Sequence, residues 1–289
     1  MLRHGSFPQT VFLYRYSFID THCHFDFTPL SENEVASIAL AATAGITHIL
    51  VPAVESRYFA RIIALSQTHP ALFAALGLHP LYVAHHQDSD LDLLEQQLRQ
   101  RDDRLIAVGE IGLDLYMAEP RFERQCELLE AQLALAKRYD LPVMLHSRHT
   151  HDRLAQLLRR IDVPRKGVAH GFAGSEQQAL VFIKLGYRIG VGGTITYPRA
   201  NKTRQAISRL PLDSLLLETD APDMPLNGFQ GQPNRPERAA NVFHTLCELC
   251  SEPPEVIADA LYRNTFRLFT LPGIDANGGV ANAVSQSEK

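Results

Sequence analysis

Eight short runs along the chain are apolar nearly throughout instead of alternating with polar residues. They are "FIDTHCH" (18–24), "THILVPAV" (47–54), "LFAALGLHP" (72–80), "LIAVGEIGLD" (105–114), "PVMLHS" (142–147), "GVAHGF" (167–172), "YRIGVGG" (187–193) and "LLLETDAP" (215–222). Runs of this kind suit parallel strands that are buried on both faces. The segments between them carry helix signals. "PLSENEVASIALAATAG" opens with Ser31 and Glu34 at capping-box spacing and stops at Gly45. "RFERQCELLEAQLALAKRYDLP" keeps a helical apolar stripe from Phe122 to Leu141 and ends before Pro142. Strands alternating with helices, with no Pro/Gly/Ser-rich linker in the middle, predict an α/β chain folded as a single (β/α)8 TIM barrel over residues 17–272. Residues 1–16 precede the first strand as an N-terminal extension. Residues 273–289, "GIDANGGVANAVSQSEK", are small and polar, as a disordered tail would be. Neither end is expected to carry chemistry.

Composition narrows the class without naming a function. With 45% hydrophobic and 21% charged residues in 289, the chain can bury a sizeable core, which excludes disordered and collagen-like classes. The net charge of −4 offers no global basic field for a polyanion, so an anionic substrate would have to be held locally. No apolar run approaches the roughly 20 residues of a membrane span. The N-terminus lacks an apolar stretch followed by a small-residue cleavage site, so the expected location is the cytoplasm. The four cysteines are too few and too uneven for a disulfide framework. Cys247 and Cys250 form one C-x-x-C within a helical pattern, with no second pair to complete a thiolate site, and are expected to pack in the core.

In a barrel of this kind chemistry gathers at the C-terminal ends of the strands. Strand 1 ends in His22 and His24, strand 3 in His79, strand 4 in Glu110, strand 5 in His146, strand 6 in His170, and strand 8 in Glu218 and Asp220. Side chains alternate along a strand, so His22 and His24 point one way and Cys23 the other, toward the helices. The same parity groups Glu110 with Val108 and Ile106. One histidine at a strand end is more often structural than a ligand, but six such residues on one rim need something to satisfy them. Four imidazoles and two carboxylates are too many for one tetrahedral zinc and match two divalent ions that share a carboxylate.

The ordered series H-x-H, "GLHP", "VGEIGLD", "LHSR", "AHGFAGS" and "LLLETDAP" resembles the TatD-type metal-dependent deoxyribonucleases of the amidohydrolase superfamily, over about residues 17 to 270. The resemblance implies a binuclear site in which His22, His24 and Asp220 hold one ion and His146 and His170 the other, with Glu110 bridging. It also implies hydrolysis of DNA. The segment "GQPNRPER" departs from the family's pattern by carrying Arg235 where an acidic residue is common.

Two such ions lower the pKa of a bridging water and clamp the oxygens of a displacement at phosphorus. Asp220 is the candidate to take the water's proton, with Glu110 as its catalytic partner. Zinc, manganese and magnesium all suit mixed imidazole and carboxylate ligands to some degree. Candidate phosphate contacts are His79 and Arg148 at strand ends, and Arg199, Lys202 and Arg204 in "TYPRANKTRQAISR", where barrels often bind phosphate. The expected substrate is nucleic acid, foremost DNA, with attack from a 3′ end and internal cleavage both left open. The expected state is a monomer with no obligate protein partner. The same hydroxide can attack a carbonyl, so a deacylase acting on an ester or amide, such as an aminoacyl-RNA, is the alternative. A non-enzymatic binding module would leave the rim unexplained.

Overall fold

A computed structural model describes residues 16–274. The expectations for residues 1–15 and 275–289 lie outside the described residues. Eight strands form one parallel sheet in sequence order: β1 Phe18–Asp20, β2 Ile46–Pro52, β3 Leu72–Leu76, β4 Leu105–Asp114, β5 Val143–Arg148, β6 Gly167–Ala169, β7 Arg188–Val191 and β8 Leu215–Leu217. The seam between β8 and β1 is closed beyond the short strands themselves. There Thr21 N donates to Leu217 O at 3.0 Å, Asp220 N to His22 O at 2.8 Å and His24 N to Ala221 O at 2.7 Å. The expected (β/α)8 barrel is the observed fold.

Two apolar layers hold it. Ile19, Leu50, Phe73, Ala75, Ile106, Met144, Val168 and Leu216 fill the barrel interior, and Phe269 and Leu271 join them from the end of α9 (Pro254–Leu268). The second layer lies between strands and helices, and includes Cys23, Val51, Val108, Leu145 and Leu217 from the strands and Leu94, Leu133 and Leu246 from the helices. Each fully buried Leu, Ile or Phe is worth about 1.5–3 kcal/mol relative to exposure, so this double burial explains why the strand runs are apolar on both faces.

Local details differ from expectation in three places. Helix α1 (Glu34–Thr43) is capped by Asn33, whose side chain accepts from Ala36 N, and not by Ser31, which lies in a preceding 3-10 turn at Leu30–Glu32. Helix α4 (Phe122–Arg138) ends three residues short of Leu141, and Asp140 takes a left-handed φ of 49°. In β4 the register against β5 slips between Val108 and Ile111, so strict alternation fails there. Val108 packs outward against the helices while Ile106 faces the interior, and Glu110 does not share a face with Val108. Such an extra residue re-aims a side chain at a barrel rim, and here it turns Glu110 toward the other strand ends. Close backbone approach follows along the same edge: a Cβ at Gly112 would stand 1.9 Å from His146 O.

Candidate metal centre

The extended backbone beyond β1 keeps the alternation that its sequence implies. Cys23 bridges to Ala221 and is fully buried in the outer layer, while His22 and His24 face the barrel axis. Asp20, also buried, staples this segment to β8: its carboxylate accepts from Thr219 N at 3.0 Å and Thr219 Oγ1 at 2.6 Å. The turn bearing His22 and His24 is thereby fixed against the turn bearing Asp220. Asp220 itself sits at φ 60°, a left-handed conformation that Asp tolerates better than most residues.

Glu110 lies at the centre, 1% exposed. Its Oε1 stands 2.7 Å from His79 Nε2, 2.7 Å from His170 Nε2 and 3.0 Å from His146 Nδ1. Its Oε2 stands 3.1 Å from His22 Nε2 and 3.3 Å from His24 Nε2. Asp220 Oδ1 lies 3.6 Å from His22 Nε2 and 3.5 Å from His24 Nε2. The six residues expected as ligands therefore converge, and Glu110 touches both halves of the set.

The donors fit divalent cations. His22, His24 and Asp220 offer ligand atoms close enough to hold one ion, and Glu110 forms two further groups, with His22 and His170 and with His79 and His146. Two buried ring nitrogens, His22 Nδ1 and His170 Nδ1, have no hydrogen-bond partner among the described residues. His79 differs from the others, because its Nδ1 accepts from Leu81 N at 3.1 Å. The proton must then sit on Nε2, which donates to Glu110; this makes His79 a hydrogen-bond donor and not a ligand.

Burial and the neighbouring carboxylates pull the histidines of the site in opposite directions. Burial disfavours charge on every ring here, yet Glu110 outweighs it at His170, whose pKa is pushed up to about 9. The same contest against burial leaves His24 raised by Asp220 and Glu110, and His146 raised by Asp114 and Glu110. At His22, burial and the stacked ring of His170, 3.7 Å away, win and pull the pKa down to about 4. Burial opposes ionisation of Glu110, but the surrounding imidazoles hold its carboxyl well below the usual range. Ligation requires neutral imidazole, so a divalent ion must displace these protons. Metal binding at pH 7 is expected to release protons, and affinity should strengthen as pH rises to about 9. Calorimetric titration in buffers of different ionisation enthalpy measures the release, and a proton count of zero would overturn this account.

Two carboxylates behind the ligands escaped the reading of the sequence as site residues. Asp114, fully buried at the end of β4, takes a 2.8 Å hydrogen bond from His146 Nε2 and so directs Nδ1 toward Glu110. Its signal is its spacing: Glu110, Gly112 and Asp114 alternate along one strand. Glu218, one residue beyond the end of β8, accepts from Gly171 N, and burial pushes its pKa up to about 7. It stands behind His170, its Oε1 3.8 Å from Nδ1.

A cleft of about 630 Å³ opens over this centre. His24, Glu110, His146, His170 and Asp220 form its floor, His79, Arg148 and His149 stand in its wall, and Phe27, Val54, Leu81, Tyr82 and Met224 give it an apolar side. Of the expected phosphate contacts, His79 and Arg148 are thus in the cleft. Arg199, Lys202 and Arg204 are not among its lining residues. Arg199 and Lys202 are exposed, and the Arg204 guanidinium donates to Ile195 O. Arg235 is also outside the lining and is paired with Glu237 at 2.6 Å. Cys247 and Cys250 are free, partly buried thiols packed against the core.

A closed parallel barrel with imidazoles and carboxylates gathered at one rim defines a metal-dependent hydrolase on a (β/α)8 scaffold. More specifically, the chain belongs to the TatD related DNase family, whose sequence profile matches residues 19–270. It is 63% identical over 255 residues, 88% of this chain and 98% of the other, to an Escherichia coli protein named an uncharacterized metal-dependent hydrolase, YjjV. The crystal structure of YjjV, a TatD homolog, superposes with a TM-score of 0.87, covering 88% of this chain and 98% of that one. A Rahnella protein named 3′-5′ ssDNA/RNA exonuclease TatD is 31% identical over 239 residues, 80% of this chain and 90% of its own. No helix among the described residues is long and apolar enough to cross a membrane.

Proposed function

We propose that this protein is a phosphodiesterase that hydrolyses single-stranded DNA from a 3′ end, with two divalent cations bound by His22, His24, Glu110, His146, His170 and Asp220. The observation that carries the reading is the shared carboxylate: Glu110 reaches one half of the donor set through each of its oxygens, beside the cation Arg148 at the cleft wall. The likeness to a relative named as a 3′-5′ exonuclease supports the choice of substrate. When bound, two such ions supply a nucleophile near neutral pH and neutralise charge at phosphorus.

The chain's own groups do the rest. Arg148, whose guanidinium makes no ion pair among the described residues, meets a non-bridging phosphate oxygen. His79 donates its Nε2 proton to Glu110 at 2.7 Å, which fixes the carboxylate, and its ring lines the cleft wall beside the substrate. Asp220 accepts the proton of the attacking water; one P–O ester bond breaks, and the departing oxygen takes up a proton as the alcohol. The apolar side of the cleft also suits an acyl group, which keeps ester hydrolysis as a second reading.

One assay separates the two. The chain is reconstituted with zinc, manganese or magnesium and given 3′-labelled single-stranded DNA in parallel with an ester substrate. Release of label with at least one metal is the expected result. Turnover of the ester with no DNA cleavage under any metal would overturn the nuclease reading.

A further inference from the structure

The lip of the cleft beside β4 and β5 carries a group that the metal chemistry does not use. Tyr116 follows Asp114 by two residues and is 61% exposed. An exposed tyrosine is ordinary, but this one is held firmly. Its backbone N donates to Asp114 Oδ1 at 2.6 Å, and the neighbouring Leu115 N donates to Arg148 O at 3.0 Å, so the tip is pinned to both strands. The Arg148 guanidinium lies over the Tyr116 ring with its carbon 3.8 Å from the centroid. The His149 ring stands 5.4 Å from the same centroid, tilted by 37°, on a backbone at φ 60°. A left-handed histidine outside a glycine turn costs of order 1 kcal/mol or more and persists where its surroundings over-determine it. Arg148 and His149 both line the cleft, and His146, two residues earlier, belongs to its floor.

Asp114 therefore does two things at once: one oxygen orients His146 and the other fixes Tyr116. We propose that Tyr116, braced by Arg148 and His149, is a stacking platform for one nucleobase of a single strand, next to the nucleotide whose phosphate lies over the metal centre. This inference rests on the nuclease reading. A stacked base suits the spot because a ring that stays 61% exposed with the Arg148 guanidinium over it offers aromatic surface and a phosphate donor together, the combination that holds single strands with little regard to sequence. Duplex DNA does not meet the requirement, since its base faces are already stacked.

The test uses the metal-loaded full chain, and compares Tyr116→Ala with Tyr116→Phe on single-stranded oligonucleotides, intact or with one abasic residue placed at each of the last few 3′ positions. Loss of one stacked base is worth about 1–3 kcal/mol, or roughly 5- to 150-fold in affinity. Tyr116→Ala is expected to raise KM for the intact strand within that range with a much smaller effect on kcat, and Tyr116→Phe to retain the wild-type KM. One abasic position should raise the wild-type KM similarly, and that penalty should vanish in Tyr116→Ala. Metal content measured on each variant reports whether the centre is intact. If the wild-type protein cleaves the strand and Tyr116→Ala shows the same KM and the same abasic penalty, the platform is overturned while the nuclease reading stands. If the wild-type protein cleaves no oligonucleotide with any metal, both fall together.

Discussion

Glu110→Ala is expected to abolish turnover, with a loss of about a thousandfold or more, and to leave the protein unable to hold two ions. The bridging carboxylate supplies charge to both halves of the donor set, and metal chemistry of this kind contributes several kcal/mol at the transition state, where about 1.36 kcal/mol corresponds to a factor of ten in rate. Metal content should fall to at most one ion per chain, since His22, His24 and Asp220 remain grouped without Glu110. The protein should still fold. Removing one partner of a buried ion pair commonly costs about 3–5 kcal/mol, but here the stranded groups are imidazoles that can shed their protons. Without Glu110, burial at His170 is opposed only by the more distant charges of Asp220 and Glu218, and its pKa should fall from about 9. Glu110→Gln separates shape from charge: it fills the same space, and it should lose metal and activity almost as fully. Elemental analysis beside a rate measurement decides the matter, and wild-type metal content with wild-type turnover in Glu110→Ala would remove Glu110 from the centre.

How much of this could be read from the sequence depended on whether a residue's role follows from strand periodicity. His22 and His24 were legible because a two-residue period survives beyond the three residues of β1, carried by backbone bonds to β8. Glu110 was legible as a strand-end carboxylate, but Val108 was assigned to the wrong face, because a register slip inside an apolar run leaves no mark in hydrophobicity. Asp114 and Glu218 stood at strand ends in plain view. What hid their place in the site is that their partners, His146 and the backbone N–H of Gly171, come from other strands and exist only once the barrel closes. The basic stretch after β7 shows the opposite limit. Charge along the chain marked Arg199, Lys202 and Arg204 alike, yet Arg204 spends its guanidinium on the Ile195 carbonyl, a use that only the 3-10 turn at Gly193–Thr196 creates. Ser31 lost the helix cap to Asn33 for a similar reason, since a 3-10 turn moved the start of the helix by a few residues.

Asp220→Asn is the second variant with a large expected effect, and its value lies in what the substitution leaves alone. Asp220 occupies a left-handed backbone position at φ 60°, which asparagine adopts as readily as aspartate, so the turn after β8 should keep its shape. The amide oxygen can still face a cation beside His22 and His24, whereas the basicity is gone. If Asp220 accepts the proton of the attacking water, kcat should fall by about 100- to 10,000-fold, the usual worth of a positioned general base, with KM changing far less. The pH profile sharpens the test. Burial would raise the Asp220 carboxyl, but His24, His170 and His22 override it and hold the pKa below the ordinary aspartate value. A base with a depressed pKa is ionised through the whole neutral range and is lost only as pH falls through that low value. The acid limb of the wild-type profile near neutrality must then come from the imidazoles, which have to lose protons before they ligate, and not from Asp220. Asp220→Asn should therefore lower the profile at all neutral pH values without moving its acid limb. Turnover close to wild type in a variant with matched metal content would show that another group takes the proton, and Glu218, buried behind His170 with its pKa near 7, would be the next residue to replace.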